Sequence, residues 1–210
     1  MAELKEITET LLNLDEQRML QLINEALKDG ISAEAILNDG LIAGMDIVGD
    51  KMENGDMFIP EVLMAAQTMS KGVEVIKPLL TDDASSSKGT VVIGTVKGDL
   101  HDIGKNLVAM MMESAGLTVH NVGVDINPEK FIELIKETNA NILCLSALLT
   151  TTMPMMKQTI DALSESGIRD QVKVMVGGAP VTQAFANEIG ADAFAPDAGS
   201  AAKSAKALVH

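Results

Sequence analysis

Only three histidines occur in the 210 residues, and one of them, His101, stands between two aspartates in the stretch Gly98-Asp-Leu-His-Asp-Ile-Gly104. Imidazole is a common metal ligand, and its second ring nitrogen is commonly held by a carboxylate. Asp99, two residues ahead of His101, is placed to do that. A structural zinc site needs four protein ligands. No second ligand is apparent: His120 falls in a separate apolar segment and His210 is the last residue. A single histidine suffices only for a metal that arrives already held by a macrocycle. The bland alternative is a structural histidine, with Asp99 or Asp102 merely capping the helix that follows.

Two further stretches carry unusual polarity. Ser146-Ala-Leu-Leu-Thr-Thr-Thr152 places four hydroxyls before Pro154, and Gly177-Gly-Ala-Pro180 allows close backbone approach. Taken singly, the hydroxyls read as helix caps and the glycine pair as a tight turn.

The elements that must position these stretches follow from periodicity. Strand-like runs fall at 90–96, 118–122, 141–147, 172–176 and 192–195, with helical patterns at 103–114, 128–138, 153–166, 182–189 and 198–207. Several strands are continuously apolar, as expected when both faces of a parallel sheet are covered. Five such units predict a flavodoxin-like, doubly wound five-stranded parallel sheet, for which the common strand order is 2-1-3-4-5. Ligands bind such sheets beyond the carboxyl ends of the strands, where the order reverses. With that order, the three polar stretches share one edge.

The first 80 residues read differently. A short helix near 4–12 is followed by one capped by Asp15 and closed by Gly30. Another is capped by Ser32, with Ile36, Leu41, Met45 and Val48 on a helical period to about Gly55. A last one has Pro60 in its first turn and runs to about Leu80. Short connections predict an antiparallel four-helix bundle. Gly40, Gly44 and Gly49 inside one helix point to close helix packing. The polar stretch 81–88, Thr-Asp-Asp-Ala-Ser-Ser-Ser-Lys, reads as a linker, giving domains at 1–86 and 87–210.

Composition narrows the class. The formal net charge of −14 opposes binding to nucleic acid or to anionic membranes, and aromatics at 2% leave no platform for stacked bases. The 14 Met residues suit irregular cores and adaptable faces. The lone Cys144 lies in an apolar run and reads as a buried, inert thiol. With no secretory leader and no long apolar run, a soluble cytoplasmic protein is expected.

Together these residues carry a resemblance. Asp99, His101 and Gly104 match the Asp-x-His-x-x-Gly motif of cobalamin-binding domains, Ser146 and Leu148 resemble that family's Ser-x-Leu motif, and Gly177 with Gly178 supplies its Gly-Gly pair. The helical part is similar to the cap that precedes this domain in methionine synthase. In organisation the chain resembles the small corrinoid proteins of anaerobic methyltransferase systems. That resemblance implies a cobalamin or related corrinoid, in its methylcobalamin form, whose own base is displaced so that His101 becomes the lower ligand to cobalt. Asp99 would hold the other imidazole nitrogen, and Thr152 would extend the hydrogen-bond chain where methionine synthase has a serine. The displaced nucleotide tail would enter beside Ser146, Thr150, Gly177 and Gly178, with Asp102 and Leu148 also near the cofactor. Met52, Ile59 and Val62, within Lys51-Met-Glu-Asn-Gly-Asp-Met-Phe-Ile-Pro-Glu-Val62, match the part of the cap that covers the upper cobalt face.

The implied work is methyl carriage between a substrate:corrinoid methyltransferase and a second methyltransferase to tetrahydrofolate or a thiol, with a reductive activator for Co(II). The chain would be a carrier subunit, not catalytic alone, its cap moving about the linker. Methanol, methylamines, glycine betaine and aryl methyl ethers stay open as donors. The alternatives are the cobalamin-binding subunit of a mutase, a cobalamin-sensing regulatory protein, or a flavodoxin-like domain without corrinoid.

Overall fold

A computed structural model describes residues 2–80 and 88–209 of the chain. Residues 81–87, most of the expected linker, lie outside the described residues. The chain forms two compact units, Met1–Ser86 with Ser114–Gly116, and Ser87–Glu113 with Leu117–His210.

The helical unit consists of four rods. Helix α1 spans Ala2–Leu12 and α2 spans Glu16–Lys28. The third rod is continuous: α3 (Ala33–Ala35), a π-helical stretch Ile36–Ile42, and α4 (Ala43–Glu53). The fourth is α5 (Ile59–Ile76). The expected caps are in place, because the side chains of Asp15 and Ser32 accept from the N–H groups of Arg18 and Ala35 at 3.0 and 3.1 Å. They satisfy first-turn donors that have no partner within the helix. At the start of α5 the Glu61 carboxylate accepts from the Phe58 N–H at 2.9 Å.

Close packing explains Gly40 and Gly44. A Cβ on Gly44 would lie 2.5 Å from Leu11 Cδ2, and one on Gly40 would lie 3.3 Å from Ile7 Cγ2. The π-helical stretch was not expected from the sequence, whose apolar period there is that of an ordinary helix. Wider turns leave carbonyls in need of donors, and the Thr8 hydroxyl of α1 donates to the Gly40 carbonyl at 2.9 Å. Ile7, Leu11, Met19, Ile23, Ile36, Leu41 and Val48 are fully buried.

The second unit is the expected doubly wound sheet. Strands β1 (Thr90–Thr95), β2 (Thr118–Asn121), β3 (Ile142–Ser146), β4 (Lys173–Gly177) and β5 (Ala193–Ala195) are all parallel in the order β2-β1-β3-β4-β5. Helices α6 (Ile103–Ser114), α7 (Pro128–Thr138), α8 (Pro154–Glu165), α9 (Gln183–Ile189) and α10 (Ala198–Leu208) connect and follow the strands. Val91, Val92, Ile142, Leu143, Val174 and Val176 are buried, with Phe131, Met156 and Leu163 from the helices. Neighbouring residues on β1 and β3 point to opposite faces, so burial of both requires helices on both sides. Cys144 is buried, and burial pushes its thiol pKa up, which keeps it inert as expected. Among the described residues no helix is long and apolar enough to cross a membrane.

Candidate corrinoid site

The order β2-β1-β3 places the switch point between β1 and β3. Register completes the placement: Thr95 is level with Ser146, and Ser146 with Gly177. The loops that follow these three residues therefore leave the sheet side by side.

At their centre is Asp99. Its side chain is fully buried, and it accepts from groups on two loops. One oxygen takes the His101 N–H at 3.1 Å and faces His101 Nδ1 at 2.7 Å. The other takes the N–H groups of Leu148 and Leu149 at 2.8 and 3.2 Å and the Thr152 hydroxyl at 2.6 Å. Burial by itself raises a carboxyl pKa. Here the bonds from Thr152, His101 and the Leu148 N–H outweigh it and hold Asp99 well below the usual aspartate range. An ionised carboxylate can only accept, so Nδ1 of His101 donates, and in the neutral form of the ring the lone pair is on Nε2. The ring is half exposed, and the Thr95 hydroxyl fixes its backbone by donating to the His101 carbonyl at 2.8 Å.

Asp99, His101 and Thr152 are thus brought into one hydrogen-bonded chain. Asp102 is not part of it. It is exposed and accepts from Asn106 Nδ2 at 3.1 Å, away from the imidazole. Ser146 is half-buried at the end of β3, and Leu148 and Thr150 are exposed on the next loop. Gly177 and Gly178 are half-buried after β4. Met52, Ile59 and Val62 flank the α4–α5 turn of the helical unit: Met52 is half-buried, Ile59 exposed and Val62 fully buried.

Two glycines have different reasons to be glycine. Gly178 has φ +129°, and a Cβ there would lie well inside contact with the Ala147 carbonyl oxygen. Its small size lets the β4 loop approach the β3 loop, whatever else binds nearby. Gly178→Ala is expected to lower the stability of the sheet unit by roughly 2–4 kcal/mol, since a strained φ and a backbone clash coincide. Equilibrium denaturation is the check, and a loss below about 0.5 kcal/mol, the scale of an ordinary surface change, would contradict it. A Cβ on Gly104, by contrast, would meet no atom within 4 Å. Protein packing does not require glycine at that position, but a bulky group seated over the loop would.

The residues present fit a macrocycle-borne metal. Among the described residues no three His, Cys, Asp or Glu side chains converge as a metal-binding group, whereas His101 offers one free nitrogen beside open space at Gly104. The same loops expose large apolar side chains: Leu100 and Ile103 are 71% and 81% exposed, with Leu148 and Leu149 also outward. Leu100, Ile103 and Leu149 were not anticipated as site residues. They lie within the two polar stretches singled out above, and only the fold shows their apolar side chains turned outward.

Comparisons with known proteins agree with this chemistry. Two family models, each described as "B12 binding domain", match residues 89–205 and 3–77. The dimethylamine corrinoid protein of Methanosarcina barkeri is 45% identical over 98% of this chain and 97% of its own. The crystal structure of a cobalamin-binding protein from Desulfitobacterium hafniense DCB-2 superimposes with a TM-score of 0.86 at 30% identity, covering 99% of this chain and 98% of the other. The methanol:cobalamin methyltransferase complex MtaBC from Methanosarcina barkeri matches with a TM-score of 0.83 at 29% identity, over 99% of this chain and 80% of that one. By sequence and by fold, this chain belongs to the B12-binding corrinoid proteins.

Proposed function

We propose that this protein carries a methyl group on the cobalt of a corrinoid held by His101, from a methylamine:corrinoid methyltransferase to a second methyltransferase serving tetrahydrofolate or a thiol. The observation that carries the reading is the half-exposed imidazole whose Nδ1 is held by the fully buried Asp99. A bound corrinoid supplies a cobalt centre able to accept and release methyl groups; the chain itself binds, orients and shields it. His101 Nε2 would hold the cobalt. Asp99 keeps the proton on Nδ1, and Thr152 keeps Asp99 in place. Ser146, Leu148, Thr150, Gly177 and Gly178 take the nucleotide tail, with Asp102 and Gly104 at the mouth of the site. Residues 1–86 act as the cap, presenting Met52 and Ile59 with the buried Val62 packed behind them, and 87–210 as the cobalamin-binding domain.

The choice of a methylamine as donor rests on the 45% identity to a protein named for dimethylamine, over nearly the full length of both chains. That likeness includes the helical part and so favours methyl carriage over a mutase subunit or a regulator. A cytoplasmic location and a reductive activator complete the reading. The test loads the protein with corrinoid, reduces it, and mixes it with methylamine- or methanol-specific methyltransferases and isotopically labelled substrates. Label from a methylamine should stay with the protein in proportion to cobalt and pass on when an acceptor methyltransferase is added. Retention of label from methanol alone would overturn the choice of donor. Retention from no donor, despite bound corrinoid, would overturn methyl carriage.

A further inference from the structure

We infer that Asp125, in the loop after β2, is a positioning residue for the His101 imidazole, holding the turn from which Asp99 reaches the ring. The inference rests on the reading of His101 as axial ligand.

Asp99 enters the site through a tight turn in which its N–H donates to the Val96 carbonyl at 3.2 Å and Gly98 has φ +83°. In such a turn the N–H of the third residue points away from the turn and needs another acceptor. Asp125 provides it, its carboxylate accepting from the Gly98 N–H at 2.8 Å. The Asp125 N–H then donates to the Asp99 carbonyl at 3.0 Å. One residue therefore ties the backbone on both sides of the Gly98–Asp99 peptide. Lys97 Nζ lies 3.3 Å from the same carboxylate, but both side chains are nearly half exposed, so this pair adds little. The Gly98 N–H, and after it Lys97, hold the Asp125 carboxyl below the ordinary aspartate range.

Asp125 does this from φ +57°, a left-handed conformation disfavoured for a residue with a Cβ. Such strain persists only where the surroundings over-determine it. A second strut leaves the same segment. Asn121 Oδ1 accepts from the buried Lys105 Nζ at 2.6 Å, and Asn121 Nδ2 donates to Asn106 Oδ1 at 2.9 Å. The segment 121–125 thus braces both ends of the His101 loop. The ring has half its surface exposed and, among the described residues, one side-chain partner, Asp99. Its orientation follows wherever Asp99 is held, and ligand geometry tolerates shifts of only about 0.5 Å.

The test uses full-length protein reconstituted with corrinoid, as D125G, D125N, K97A and H101A. The measurements are histidine-nitrogen splitting in the electron paramagnetic resonance of the Co(II) form and stability by denaturant titration. Glycine adopts the left-handed φ freely, so D125G should keep near-wild-type stability while the ratio of histidine-coordinated to uncoordinated cobalt falls about tenfold, the lower end for residues behind a metal ligand. D125N retains an oxygen for the Gly98 N–H and tolerates the same φ, so it should recover most of the signal. K97A should resemble wild type. Wild-type coordination in D125G, with the signal lost in H101A, overturns the inference and leaves the axial assignment standing. A D125N protein as impaired as D125G overturns the hydrogen-bond account. A signal that survives in H101A removes the axial assignment itself, and this inference with it.

Discussion

Asp99→Asn is expected to destabilise the sheet unit by about 3 kcal/mol at neutral pH, at the lower end of the range for breaking a buried charged network. The native carboxylate takes hydrogen bonds from His101 on one oxygen and from Leu148, Leu149 and Thr152 on the other. An asparagine has one accepting oxygen. Whichever way its amide is turned, an NH2 group faces donors that had a partner, and unsatisfied buried groups cost about 1–3 kcal/mol each. The pH dependence has a definite sign. The folded-state pKa of Asp99 lies below the unfolded value of about 3.9, so its contribution is complete above that value and fades as pH falls below it. The gap between wild type and variant should therefore be full at pH 7 and narrow below about pH 4. Denaturant titrations of corrinoid-free protein across this range provide the check. A gap under about 1 kcal/mol at pH 7, no more than one ordinary hydrogen bond, would show that the carboxylate is not the hub of the two loops.

His101→Ala should act in the opposite way, with a large effect on the cofactor and a small one on the fold. The ring is half exposed, and water can replace its bond to Asp99. Stability should change by no more than about 1 kcal/mol. Apolar contact with Leu100, Ile103, Leu148 and Leu149, all outward-facing, should still retain corrinoid, although more weakly. The electron paramagnetic resonance of the Co(II) form should lose its histidine-nitrogen splitting altogether, because among the described residues the one other histidine, His120, lies within β2 and not on these loops. Persistence of that splitting would assign the axial nitrogen to another group.

These two variants also separate what was legible in the sequence from what was not. The motif residues could be found because the chemistry of each is carried by its type. A histidine two residues after an aspartate, at the end of an apolar run, marks a candidate pair, and the structure contains its hydrogen bond between Asp99 and His101 Nδ1. The elements were legible for a related reason. Burial on both faces of β1 and β3 requires unbroken apolar runs, and helices packed on one face require a period near 3.6, so the core's demands are written locally. The caps at Asp15 and Ser32 depend on neighbours three residues away, and they too were readable.

What escaped the sequence depends on partners far along the chain. Asp102 flanks His101 as Asp99 does, yet it turns to Asn106 while Asp99 turns inward to the β3 loop. The π-helical stretch Ile36–Ile42 arises where the third rod lies against α1 and Thr8 offers a hydroxyl to Gly40. Gly178 is glycine because of the Ala147 carbonyl, a neighbour only through the pairing of β3 with β4. Asp125 carries no motif and matters only because β2 lies beside β1, which brings its loop to Gly98. The sequence by itself determined the residue types that do the chemistry and the elements that carry them, since both are properties of short segments. The tertiary structure alone decided which donors meet Asp99 and which loop braces it, since those contacts are set by strand order and register between segments that share no local pattern.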